Sequence, residues 1–169
     1  MNRDSISHLL DECKTIDENC LYTAQTHFVM TQTAQKKVWR LVFWPSLLAV
    51  LTGGITAFGG PDWWGAIGAI AAGLAGLATV LGADRDVVAH SAAGGLMTSM
   101  RHEARALHET FWKEMSKKEL YYEIRRLHDK YNNLRLALGP TDNAAFEVAR
   151  KRIKEGIFEP DFRQHSNQT

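Results

Sequence analysis

Two stretches without a charged side chain, four residues apart, constrain this chain more than anything else in it. Residues 41–58 read LVFWPSLLAVLTGGITAF and residues 63–83 read WWGAIGAIAAGLAGLATVLGA; between them lie Gly59, Gly60, Pro61 and Asp62. At the helical rise these runs reach roughly 27 and 31 Å, close to a hydrocarbon core of about 30 Å. A backbone in lipid must satisfy its own hydrogen bonds, and two segments cannot close a barrel, so both runs are expected to be helices. The short Gly-Gly-Pro-Asp link makes them an antiparallel hairpin, since Pro61 cannot sit inside a helix. Trp39, Trp44, Trp63 and Trp64 fall near the expected ends, where indoles favour a water–lipid boundary. A buried hairpin of a soluble protein is the alternative, but runs of 10–14 apolar residues suit that better than runs of this length. The expected fold is therefore all-α, an integral membrane protein. A cytoplasmic helix at 1–40 precedes a transmembrane hairpin at 41–83, followed by a cytoplasmic helical region at 84–156 and a polar tail at 157–169.

Each run has readable faces. At 100° per residue, Ser46, Ala49, Thr52, Gly53 and Thr56 share one arc of the first, and Leu47, Leu48, Leu51, Ile55 and Phe58 another. In the second, Trp63, Ile67, Ile70, Leu74, Leu77 and Leu81 make a bulky ridge, and most of the remaining circumference is small. Gly65/Ala69, Gly68/Ala72, Ala69/Gly73 and Ala72/Gly76 are spaced so that backbones can approach closely in lipid. Gly65, Gly68, Ala72 and Gly76 are thus candidates for helix packing. Ser46, Thr52, Gly53 and Thr56 are candidates for lining a narrow pore. Small residues serve either purpose.

The flanks set the orientation. Lys36, Lys37 and Arg40 precede the first run, Arg85 follows the second, and the link has no basic residue, so both termini are expected in the cytoplasm. The N-terminus lacks a cleavable-signal pattern, which leaves insertion to the hairpin. A net charge of +1 over 169 residues gives no nucleic-acid footprint. Cys13 and Cys20 fit neither a zinc clip nor a redox motif and are expected to be reduced, helix-packing thiols.

Residues 5–39 carry a heptad-like stripe of Ile6, Leu9, Cys13, Ile16, Cys20, Thr23, His27 and Met30, with Asp4 or Ser5 as cap. It weakens after Cys20, so packing against the C-terminal helices is expected, and the absence of Gly and Pro lets the helix run into the first span. Pro45 marks that entry. After the hairpin, Gly94-Gly95 is expected to interrupt a helical stretch whose apolar face is Met97, Met100, Ala104, Leu107, Phe111 and Met115. Ser116 and Glu119 match a capping box. Leu120, Ile124, Leu127, Tyr131 and Leu134 follow on one face, Gly139-Pro140 is an αL stop, and Thr141 or Asp142 starts a last helix carrying Ala145, Phe146, Ala149 and Ile153 up to Gly156. The tail from Pro160 is expected to fray.

No catalytic or metal motif assembles. His102-Glu103 and His108-Glu109 lack the second His of a metalloprotease helix, with Ala106 and Trp112 standing there, and are expected to be solvated. Asp84 and Asp86 could pair with Arg85, Arg101 or a neighbouring chain, or form a cation-attracting ring at a pore mouth. No cofactor, metal or enzymatic activity is expected.

The layout of long helix, tight two-span hairpin and helical C-terminal region resembles the SLATT domain, a two-transmembrane effector of bacterial conflict systems. Ser116-Lys117-Lys118-Glu119-Leu120, then Gly139-Pro140-Thr141-Asp142, then Ala145-Phe146-Glu147-Val148-Ala149-Arg150 carry much of the likeness, which spans residues 5–156. The resemblance implies an antiphage effector of the bacterial inner membrane that forms pores or disrupts the bilayer. It further implies activation by a separate sensor or nucleotide second-messenger system, ending in growth arrest or cell death. Two spans enclose no channel, so a homo-oligomer in the lipid membrane is expected. The rival expectations are a membrane-anchored helical scaffold and a holin-like protein.

Overall fold

The computed structural model describes residues 3–82 and 84–156, with side chains from Ile6 onward. The polar tail and the side chains of Asp4 and Ser5 lie outside the described residues. Among the described residues every element is helical. Helix α1 spans Arg3–Val38 and passes through a π turn, Trp39–Phe43, into α2, Trp44–Ala57. Then come α3 (Trp63–Val80), α4 (Arg85–Glu109), a 3-10 turn (Phe111–Glu114), α5 (Lys117–Ala137) and α6 (Asn143–Lys154).

Pro45 accounts for the π turn. It has no amide to donate, and its ring crowds the carbonyl four residues back. The chain widens just upstream, so that the Trp44 amide donates to the Trp39 carbonyl five residues back, and helical geometry resumes with Pro45 in the first turn of α2.

The chain divides into two compact units. The first is residues Met30–Ser91, the second Met1–Val29 with Ala92–Thr169. The first unit therefore reaches beyond the 41–83 boundaries read from charge alone. Its α2 closes in a Schellman turn: Gly59 takes φ 86°, its amide donates to Thr56 O at 3.1 Å, and the Gly60 amide donates to Ile55 O at 2.9 Å. Only four residues then separate Phe58 from α3. Two helices here, one through α2 and one through α3, are long and apolar enough to cross a membrane. Only 6 % and 18 % of their most apolar windows are buried within the chain, which is unlike the core hairpin of a soluble protein.

The second unit is an ordinary helical core. Cys13, Ile16, Cys20 and Ala24 of α1 pack with Met97, Met100, Ala104 and Leu107 of α4 and with Leu120, Ile124, Leu127 and Tyr131 of α5. The stripe on α1 thus finds its partners in the C-terminal helices. Ser116 and Glu119 form the expected capping box: Ser116 N donates to Glu119 Oε2 at 2.8 Å and Glu119 N to Ser116 Oγ at 3.3 Å. Hydrogen bonds to the carboxylate from the Ser116 side chain and from its backbone amide hold the Glu119 carboxyl below its usual range. Asp142 caps α6, accepting from Ala145 N at 3.2 Å, and Gly156 (φ 73°) ends it.

Three expectations fail here for physical reasons. Helix α4 runs unbroken through Gly94-Gly95, and Gly94 is needed for space, since a Cβ there would lie 2.7 Å from the Phe28 ring. Gly139 does not adopt positive φ; Leu138 leaves α5 in an extended conformation (ψ 133°), so no αL cap forms ahead of Pro140. Phe111 lies in the 3-10 turn, 53 % exposed, because α4 has already ended at Glu109.

Candidate functional site

The faces of the hairpin unit are the candidate site, and the seam between α2 and α3 comes first. Thr52 is the one buried residue of α2, 1 % exposed. Its hydroxyl donates to Leu48 O at 2.8 Å and lies 3.2 Å from Ala49 O, so it needs no partner from outside the helix. Opposite stands Gly68, where a Cβ would fall 2.5 Å from Thr52 Oγ1 and 3.4 Å from Ala49 O. One turn on, Thr56 Oγ1 donates to Thr52 O at 3.1 Å and would stand 3.5 Å from a Cβ at Gly65. Ala71 and Ala75 complete the buried line of α3.

The structure thus separates the residues singled out in the sequence. Of the four candidates for a polar lining, Thr52 faces α3 rather than an open side, and Ser46 and Thr56 are half-buried. Gly53 is exposed, with open space where a Cβ would be. Of the four packing candidates, Gly65 and Gly68 belong to the seam. Ala72 and Gly76 are exposed, as are Ala69 and Gly73 on the same face, and a Cβ at Gly73 or Gly76 would meet nothing within 4 Å. Helix α3 therefore has two small-residue faces, one closed by α2 and one open. The bulky ridge of Ile70, Leu74, Leu77 and Leu81 points outward.

Asp84 and Asp86 are exposed, and neither makes an ion pair among the described residues. Arg101 is taken by Asp17 instead, donating from Nε to Oδ1 at 3.0 Å. Arg105 Nε lies 3.6 Å and His108 Nε2 3.3 Å from the other Asp17 oxygen. His108 is therefore not solvated: its side chain is 10 % exposed. Two guanidiniums and an imidazole around one carboxylate pin α1 to α4, and no local pattern announces it, because Asp17 and Arg101 are 84 residues apart in sequence. Glu103 likewise ties α4 to Arg126 and Lys130 of α5.

The second unit also holds a cavity of about 380 Å³. Tyr22 and Phe146 stand at its wall with ring centroids 6.0 Å apart, and the Arg135 guanidinium sits 5.8 Å from the Tyr131 ring centre. Arg135 makes no ion pair among the described residues, and no carboxylate lines the cavity. Burial raises the Tyr131 hydroxyl above its ordinary pKa. Burial also pushes the unpaired thiols up, Cys13 to about 11 and Cys20 to about 12, which suits packing rather than reactivity. Among the described residues no group of His, Cys, Asp and Glu could hold a metal ion. Comparison with known proteins finds no family model, no curated protein and no solved structure that matches this chain.

Proposed function

We propose that this chain is an oligomeric membrane effector, in which several copies set their hairpins side by side in a bilayer and breach it. One observation carries the reading: α3 has two close-packing faces and the chain itself uses one. Lipid tails are as apolar as leucine, so helices in a bilayer associate through close packing rather than through the hydrophobic effect. The open face at Ala69, Ala72, Gly73 and Gly76 is suited to that between copies. A pair of helices encloses no aqueous path, and a closed ring of identical hairpins is the economical way to make one. Basic residues on one side of the hairpin favour both termini in the cytoplasm, and the likeness to SLATT domains implies a bacterial inner membrane. The likeness to SLATT domains supplies the trigger, a separate nucleotide-linked sensor, and the outcome, growth arrest or cell death. No catalysis is assigned.

The scaffold reading has its own support, since the Thr52 and Thr56 hydroxyls are spent on backbone carbonyls inside the hairpin and offer little to water. Cysteines at Gly73 and Gly76 distinguish the two. In membranes they should cross-link copies into species larger than dimers, and liposomes carrying the wild type together with its activated sensor should leak ions where Gly76→Leu liposomes do not. Cross-linked copies that never leak, even with an activated sensor, would favour the scaffold.

A further inference from the structure

We infer that the hairpin unit carries a binding site for one anionic phospholipid, its phosphate held by Lys36 and Arg40 and one acyl chain laid between α2 and α3. The inference rests on the membrane reading above and goes beyond it.

A groove of about 480 Å³ runs between Trp44 and Leu48 on one side and Ile67, Ile70 and Leu74 on the other. It lies outside the buried seam: Leu48, Ile70 and Leu74 are 43 %, 66 % and 57 % exposed. At Arg40 and Trp44 it meets a second hollow of about 430 Å³, whose walls include Lys36 and Trp39 together with glutamines. The two hollows share those two residues and differ in chemistry. One is lined almost wholly by hydrocarbon, the other by cations, amides and two indoles. An occupant of both must be an amphiphile with an anionic head.

The charge is uncompensated. Neither Lys36 nor Arg40 makes an ion pair among the described residues, and no Asp or Glu occurs between Glu18 and Asp62. Trp39 and Trp44 flank the point where the chemistry changes, which is where indoles sit at a lipid headgroup boundary. Basic pockets beside membrane helices on the cytoplasmic side recognise anionic headgroups by this means. An acyl chain gains little by leaving bulk lipid for an apolar groove, so selectivity lies in the headgroup and the groove only fixes the position.

The probes are dioleoyl phosphatidylglycerol and dioleoyl phosphatidylcholine, which share chains and differ in net charge. Full-length protein is first extracted from membranes and then presented with each lipid in nanodiscs, and retained lipid is counted by native mass spectrometry. One phosphatidylglycerol per chain should survive where phosphatidylcholine is lost. Each basic side chain near a lipid surface is worth about fivefold, so Lys36→Gln with Arg40→Gln should weaken retention about thirtyfold. Ile70→Trp should lower retention with both charges intact, by narrowing the groove. Lys151→Gln, at an exposed side chain of α6, should change nothing. Equal retention of the two lipids, or an equal loss from Lys151→Gln, overturns the site and leaves the membrane reading standing. Cross-links between copies through cysteines at Leu48 and Ile70, unaffected by added phosphatidylglycerol, overturn it in favour of a second copy in the groove. A chain that leaves the membrane without detergent overturns both.

Discussion

Alanine at Gly68 and alanine at Gly76 make the same chemical change on the same helix, yet the structure assigns them opposite consequences. Each gains up to about 1 kcal/mol in helix propensity, and that term cancels when the two are compared. At Gly68 the new methyl would stand 2.5 Å from Thr52 Oγ1. The hydroxyl has little room to retreat, because it is tied to Leu48 O at 2.8 Å. Ala49 O, at 3.4 Å, limits any shift of the methyl to that side. Either α2 and α3 separate or Thr52 gives up its rotamer, and overpacking of this kind costs about 1–3 kcal/mol. At Gly76 nothing lies within 4 Å, so no such cost arises within the chain. Gly68→Ala should therefore be less stable than Gly76→Ala by about 1–3 kcal/mol. Adding Thr52→Ala should recover most of the difference, since the nearest obstacle goes and the next contacts are ordinary. The measurement is unfolding by sodium dodecyl sulfate in mixed micelles, followed by tryptophan fluorescence. Equal stability of the two glycine variants, or a Thr52→Ala background that recovers nothing, would refute the seam as described.

Gly60→Ala should destabilise the hairpin in the same assay by more than Gly68→Ala, since its methyl would press on Ile55 O at 2.6 Å, backbone that cannot rotate away. Asp17→Ala should cost the second unit about 1.5–3 kcal/mol, read as a lower thermal midpoint of the purified chain, by leaving Arg101 and His108 without their carboxylate while Arg105 keeps only Glu109, at 3.4 Å. Cys13 and Cys20 should resist iodoacetamide at pH 8 until the chain is unfolded, because burial keeps them as thiols. Their folded pKa values, raised from 9.0 to about 11 and about 12, mean that the stability they contribute is complete below pH 9 and is lost as pH rises toward those values. Cys13→Ala with Cys20→Ala should flatten that alkaline limb of a thermal-midpoint titration.

What could be read from the sequence was whatever depends on residues near one another along the chain. The two charge-free runs, the stripe through Cys13 and Cys20, the Ser116–Glu119 box and the start of α6 are local patterns, and each stands in the structure. The failures share another origin. Gly94 looked like a break because glycine weakens a helix, but its use is set by Phe28, which approaches from α1. The polar arc of α2 was visible, and the glycine that receives Thr52 was not, because any of several small residues on the second run could have stood there. Asp17 gave no signal at all, being one acid in a solvated-looking stretch whose partners lie on a helix made much later. At Gly139 the local rule itself misled, since an extended Leu138 ends the helix before the glycine is needed.

The order of the chain has a consequence for biogenesis. Thr52 and Gly68 meet across a short loop, so the hairpin seam can close as soon as its second run has been synthesised. The helical core cannot. Its first strip, Cys13 through Ala24, is made before the hairpin, while its partners Leu120 to Tyr131 come after it. At translation rates of about 5–20 residues per second the strip waits on the order of ten seconds with its apolar face uncovered. During that interval a nascent α1 is a substrate for chaperones or for another ribosome's nascent α1. Moving residues 1–29 to the C-terminus by circular permutation should shorten the wait without altering the finished core, and should raise the yield of folded protein when chaperones are limiting.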